Sequence, residues 1–280
     1  MIENEKQRRP AVSLLMAVYK NPDVLLRGLM ALNRQSFRDF EVIVCDDGSD
    51  AAIRSLVDRV ASAMVYPLRY VWQADQGFRK CRILNRGILH STSDYIIVMD
   101  ADCIPHRHFV RGHMEERHRG CYLAGRRLWV GERLSQAIRV DTLDWQVLES
   151  PFRLLFLWFR YGGGRHLEAG IYLPRRLREC LKRRSAKLKG CNMSFWQADI
   201  QAINGFEEIF EIPCGGEDTD LARRFKAIGL RSRSVKHAAI CYHLHHPLLP
   251  RDGRAGILCR ELAAKQTIKA LRGLAESGDE

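Results

Sequence analysis

Four short apolar runs rich in β-branched residues punctuate the first hundred residues, at 12–18, 40–45, 68–72 and 95–99. Helical patterns separate them. After the first run, Asn21 suits a helix N-cap and Pro22 the first helical position. After the second, Ser49 or Asp50 can cap a helix reaching Met64. A third helical segment covers 78–90. Strands spaced by helices imply right-handed βαβ units and a mainly parallel sheet covered on both faces. Ligands of such sheets lie beyond the carboxyl ends of the strands. Two of the runs end there in acids, Asp46-Asp47 and Asp100-Ala101-Asp102. Four carboxylates on one edge are costly unless cations or hydrogen-bond donors meet them.

The second half is less regular. It predicts a strand over 122–130, a helix over 135–148 and a short strand over 232–235. A helix over 217–228 buries Leu221, Phe225 and Ile228 and stops at Gly229. A weakly amphipathic helix covers 256–274. At 280 residues and 46% apolar, the chain can fill one large α/β core with a subdomain. Nine cysteines without a C-x-x-C pair read as reduced thiols of a cytoplasmic protein. The first ten residues hold no apolar signal core, and no run is long enough to span a membrane.

The net charge of +12 suits a polyanion, an anionic membrane surface or a phosphorylated substrate. The excess peaks at 175–189, with five Arg and three Lys against one Glu. Beside it, 151–165 carries Phe152, Phe156, Trp158, Phe159 and Tyr161. That pair of features suits a lipid headgroup layer, or else a solvated helix next to a buried one. Nucleic acid is not expected, because no recognition motif accompanies the charge.

Five motifs carry chemistry. In "IVMDADCIP", extended alternation would point Asp100 and Asp102 the same way, where two carboxylates can share Mg2+ or Mn2+ and a ligand hydroxyl. "VCDDGSD" is a turn with a cap, in which Asp46 or Asp47 can accept from the N–H groups of a base. "QADQGFRKCRILNRG" places Asp75, Arg79, Lys80, Arg82 and Asn85 around a helix start, with Arg79 or Lys80 nearest the strand end and suited to a diphosphate. "GGEDTD" opens a helix with Gly215 and Gly216, which allow close approach to the backbone. Its carboxylates Glu217 and Asp218 can act as a general base. "HLHHP" offers His243, His245 and His246 for a partial metal shell, whereas His106, His108, His113 and His118 are expected in solvent.

In this order the motifs resemble those of a family 2 glycosyltransferase with the GT-A fold. The segment "GCNMSFWQADIQAINGFEEIFEIPCGGEDTDLARRF" resembles the galactosyltransferase-type segment of β-1,4-galactosyltransferases and chondroitin polymerases. The resemblance implies a nucleotide-sugar donor half at 10–130 and a variable basic-aromatic region at 131–187. An acceptor and catalytic segment follows at 188–250, then a helical tail at 251–280. It implies inverting, Mn2+- or Mg2+-dependent transfer from a nucleotide sugar, usually UDP-linked, to a glycan or lipid-linked hydroxyl in bacterial surface polysaccharide assembly. The expected setting is the cytoplasm or the cytoplasmic face of an anionic inner membrane. By motif, Asp46 or Asp47 would meet the base, Lys80 or Arg79 the diphosphate and Asp100 the ribose. Asp102 with His243, or its rival His246, would hold the metal, and Asp218 would be the base. Cys214 departs from the family pattern, which commonly has Trp there, and this bears on the acceptor. A nucleotidyltransferase is the alternative enzyme, but "AVYKNPDVL" lacks its Gly-rich basic loop. A non-catalytic basic membrane- or nucleic-acid-binding protein is the alternative outside enzymes.

Overall fold

The computed structural model describes residues 9–180, 185–213, 216–247 and 253–278. In chain order the strands are β1 (Val12–Val18), β2 (Phe40–Asp46), β3 (Leu68–Trp72), β4 (Tyr95–Asp100), β5 (Cys103–Pro105) and β6 (Cys121–Ala124). Then come β7 (Arg126–Val130), β8 (Gly164–Arg165), β9 (Met193–Trp196), β10 (Arg231–Ser234) and β11 (Ile240–His243). The helices are α1 (Pro22–Leu32), α2 (Ala51–Val60), α3 (Lys80–His90), α4 (Phe109–Glu116) and α5 (Glu132–Arg139). They continue with α6 (Pro151–Arg160), α7 (Arg175–Glu179), α8 (Gln197–Ala202), α9 (Glu217–Ala227) and α10 (Gly253–Ala264).

A seven-stranded sheet runs in the order β10-β6-β9-β4-β1-β2-β3. The pairs β1–β2, β1–β4, β2–β3 and β6–β10 are parallel, and only β9 runs against its two neighbours. This is the mainly parallel α/β sheet that the alternating runs imply. Its central strands are buried on both faces, so they read as continuous apolar runs. Val42, Val44, Ile97 and Met99 face one apolar cluster, with Leu25, Leu29 and Phe109. Ile43, Ile96 and Val98 face the other, with Ile83, Phe195 and Phe225. A smaller sheet, β5-β11-β7-β8, closes a third cluster with α5 and α6.

Several expectations need correcting. The predicted 122–130 strand is two strands in different sheets, β6 and β7, divided at Gly125. A Cβ at Gly125 would lie 2.0 Å from the Asn192 side chain, so only glycine lets the chain cross there. The predicted 135–148 helix stops at Arg139, because Asp141 takes a left-handed φ of 59° and pairs with Arg27. A single 3-10 turn, Trp145–Glu149, follows. The helix after β2 is capped by Asp50, which accepts from the Ala52 N–H at 3.0 Å, and a 3-10 turn over Ala61–Ala63 continues it from Val60 to Met64 as expected. Asn21 does not cap α1 with its side chain. The tail helix ends at Ala264.

His106 and His113 are buried rather than solvated. His113 bonds Ser194 Oγ (2.8 Å) and Asn192 Oδ1 (3.1 Å), and His106 stacks on Tyr172. Within the basic run, Arg178 is buried and donates to Glu115 at 2.6 Å, so part of that charge holds the fold. Residues 181–184 of the run, with Cys214 and Gly215, lie outside the described residues.

Candidate active site

A cleft of about 610 Å³ opens beyond the carboxyl ends of β1 and β4. Its walls include Lys20, Asp47, Lys80, Asp100, Asp102 and His246. Parallel strand order alone puts β1, β2 and β4 ends on this edge.

Asp100 is the last residue of β4, but Asp102 is not in a continuing strand. Residues 101–102 form a two-residue turn, and β5 begins in the smaller sheet. Asp102 reaches the cleft because the chain turns, not because an extended strand alternates. β11 pairs antiparallel with β5, His243 opposite Cys103, and Leu244 N–H donates to the Asp102 carbonyl at 2.9 Å. This brings both imidazoles to one carboxylate oxygen. His243 Nε2 lies 3.3 Å and His246 Nε2 3.2 Å from Asp102 Oδ2. Burial would raise the Asp102 carboxyl, but the hydrogen bond from His246 and the two imidazoles beside it hold it below the usual range. Burial lowers His243, keeping it neutral and able to offer a lone pair. Its Nδ1 is buried without a partner among the described residues, and its ring packs 4.2 Å from Trp129. The three ligand atoms lie within 4.8 Å of one another. One carboxylate and two imidazoles fit a divalent cation, with Mn2+ a better match than Mg2+, which prefers oxygen.

Lys80, the first residue of α3, forms a close ion pair with Asp100. Burial pulls its ammonium down, but Asp100, Glu217 and Asp218 raise it on balance. Asp218 stands on the other side of Lys80, in the first turn of α9. Its Oδ2 accepts from Gly190 N–H at 2.9 Å, while Oδ1 is buried with no partner among the described residues. Burial and the Glu217 carboxylate raise Asp218 to about 7. Gly190 is held close, because a Cβ there would lie 3.0 Å from Asp218 Oδ1 and 3.4 Å from Lys80 Nζ.

The other candidates have settled partners. Asp46 Oδ1 accepts from Ser49 N–H (2.9 Å) and Oδ2 from Tyr70 (2.7 Å), beneath the turn and off the cleft wall. Asp47 lines the cleft, accepting from Gln73 (2.6 Å) and Arg79 N–H (2.9 Å), and burial raises its carboxyl. The Arg79 guanidinium donates to the Ala74 carbonyl at 2.7 Å, tying its loop rather than reaching the cleft. Exposed Asp75 accepts from Tyr19, which lowers its carboxyl. Asn85 is fully buried and links α3 to Phe206 and Glu208. In "GGEDTD" the last acid, Asp220, is consumed by Arg223 and Arg224 at 2.7 and 2.6 Å. Gly216 carries a φ of 96° at the start of α9.

Sequence reasoning missed Tyr19, Lys20 and Arg139 on the cleft wall. Lys20 and Asn21 are both left-handed, with φ of 58° and 59°. Nothing in a Lys-Asn pair signals that conformation. Arg139 arrives from α5 to donate to the His245 carbonyl at 2.9 Å, a contact made across the fold.

Residues 13–165 match the model of glycosyl transferase family 2, more than half of the chain. The chain belongs to that family. Residues 178–247 match a second model, described as the N-terminal domain of galactosyltransferase. The family 2 chain is 26% identical over 247 residues to a chondroitin synthase of Escherichia coli, covering 84% of this chain and 35% of the relative. It is 24% identical over 275 residues to a chondroitin synthase of Pasteurella multocida, covering 93% and 27%. It therefore spans about a third of the length of these relatives. Among solved structures, a mannosyltransferase of Pyrobaculum calidifontis in complex with GDP-Man and Mn2+ superposes with a TM-score of 0.56 at 18% identity, over 93% of this chain and 64% of that one. TarS of S. aureus gives 0.60 at 13% identity, over 95% and 41%. These likenesses show the GT-A fold. Family membership sets aside the nucleotidyltransferase and non-catalytic readings.

Proposed function

We propose that this family 2 chain transfers a sugar from a nucleotide sugar with a uridine diphosphate leaving group to an acceptor hydroxyl, with inversion. The carrying observation is the Asp102–His243–His246 group, whose Asp102 and His246 line the same cleft as the Lys80–Asp100 pair, with Asp218 and Lys80 both beside Gly190. The solved relatives support a nucleotide ligand, since one is bound to GDP-Man and Mn2+ and TarS has also been solved with UDP.

Asp102, His243 and His246 would hold a divalent cation. When bound, that cation would offset charge developing on the departing diphosphate. Asp100 would accept from the ribose hydroxyls, and Lys80 would neutralise Asp100 or turn to the diphosphate. Asp47 would meet the base. Asp218 has the features of a general base, with one oxygen held by Gly190 N–H, the other unpartnered, and a proton affinity raised toward neutral pH. One base working opposite the leaving group gives inversion. Glu217 keeps Asp218 basic by repulsion.

The likeness to chondroitin synthases supports a glycan acceptor and a role in surface polysaccharide assembly. Peripheral contact with an anionic membrane is supported by α6. Phe152, Leu155, Phe156 and Phe159 follow i, i+3, i+4, i+7 spacing and are all exposed, with Arg153 and Arg160 on the same helix. No helix among the described residues is long and apolar enough to cross a membrane. The test is a thermal-shift panel of nucleotide sugars with and without Mn2+. A metal-dependent shift by one UDP-sugar is expected; no shift by any member would overturn the reading.

A further inference from the structure

Directly behind the cleft, three thiols converge. Cys103 opens β5, Cys191 lies in the turn before β9 and Cys241 sits on β11. All three are buried, and their sulfurs lie within 4.8 Å of one another. Buried thiols usually act as small apolar fillers. One contact argues against that here. The Arg127 guanidinium donates to Cys191 Sγ at 3.2 Å, whereas Asn192 Nδ2 gives its two hydrogens to the Arg126 and Ala239 carbonyls at 2.9 Å and only passes Cys241 Sγ at 3.6 Å. Among the described residues Arg127 forms no salt bridge; its guanidinium is directed to sulfur and to the Trp129 ring, 4.3 Å away, and the Asp100 carboxylate acts on it only at longer range. Apolar filler gives no reason to bring a guanidinium to the sulfurs.

We propose that Cys103, Cys191 and Cys241 form a binding site for one thiophilic divalent cation of the zinc class. Tetrahedral zinc with thiolates at about 2.3 Å places its sulfurs about 3.8 Å apart, within the spread of this trio. Three thiolates around a divalent cation carry one net negative charge, which the Arg127 guanidinium faces inside the fold, while the Asp102 carboxylate, 3.6 Å from Cys103 Sγ, is met by His243 and His246. Imidazole and carboxylate at Asp102, His243 and His246 suit a harder cation, so the adjacent sites separate metals by softness.

The site adjoins the reaction machinery. Cys103 follows Asp102, Cys241 precedes His243 by two residues, and Cys191 follows Gly190, whose N–H holds Asp218. A cation gathering the three sulfurs would draw on all three backbone segments.

The test is Cd2+ titration of the reduced protein in a Cys180→Ser background, which removes the thiol that is exposed among the described residues. The readout is the ultraviolet thiolate-to-cadmium charge-transfer band. The expected result is a band that saturates at one Cd2+ per chain, is lost in Cys191→Ala and Cys241→Ala, and persists in Asp102→Ala. Persistence there separates this site from the proposed donor metal, which has no sulfur ligand. Circular dichroism identifies the folded variants, and either cysteine variant alone suffices. Absence of the band in the parent protein, or its survival in a folded cysteine variant, would overturn the proposal.

Discussion

Replacing Asp218 with Asn should raise stability while removing activity, and the gain should depend on pH. The folded protein raises the Asp218 carboxyl from 3.8 to about 7, through burial and then Glu217. Between these values the native state binds more protons than the unfolded chain, so stability falls as pH rises through that window. Roughly three units at 1.36 kcal/mol each would give about 4 kcal/mol for complete burial. Asp218 is only half-buried, so solvent screening reduces the expected term to about 2 kcal/mol. Asp218→Asn removes this cost and keeps an oxygen for Gly190 N–H. Thermal unfolding should show little difference near pH 4, where the native carboxyl is already protonated in the fold. Near pH 8 the variant should melt higher by roughly 4 °C. Transfer should fall by about 10²–10⁴-fold, the usual contribution of a general base, with donor affinity retained. A variant no more stable than the parent near pH 8 would refute the raised carboxyl; unimpaired transfer would refute the base.

Three further outcomes are expected. Asp102→Ala removes the acceptor shared by His243 and His246, so Mn2+-dependent donor affinity measured by calorimetry should drop about tenfold or more. Asp220→Ala leaves Arg224 buried without its partner and should cost about 3–5 kcal/mol in urea unfolding. Donor affinity of the folded fraction should not change, which separates this acid from Asp218. Replacing Phe152, Phe156 and Phe159 together with Ser should abolish sedimentation with anionic vesicles while transfer to a soluble acceptor survives; unchanged sedimentation would remove α6 as the contact.

The parallel part of the fold was legible because it is local. β1 and β3 run over the residues expected, and β2 and β4 extend one residue further, each to an acid. Gly229 ends α9 with a positive φ, as its position suggested. The 122–130 misreading has a distant cause: Gly125 is required by the side chain of Asn192, which no local pattern contains. The same holds for His113, whose periodicity says nothing of Ser194 and Asn192. At the candidate site, topology brings Asp47, Lys80, Asp100, Asp102 and His246 of the nominated residues to one cleft. What the motifs could not separate was which acid faces the cleft and which is consumed inside. Asp46 and Asp47 are neighbours of identical chemistry, and it is Tyr70, arriving from β3, that with the local Ser49 N–H turns Asp46 inward.

The chain passes between its two sheets without slack. From β4 to β5 it spends two residues, and from β6 to β7 one. An insertion at either crossing would have no loop to absorb it and would shift the small sheet's pairing. Asp102 and His243 would then no longer meet, although both residues were intact. Length changes at these two hinges should therefore cost more than equal changes in an exposed turn such as the one at Gly162, where the chain already takes a positive φ.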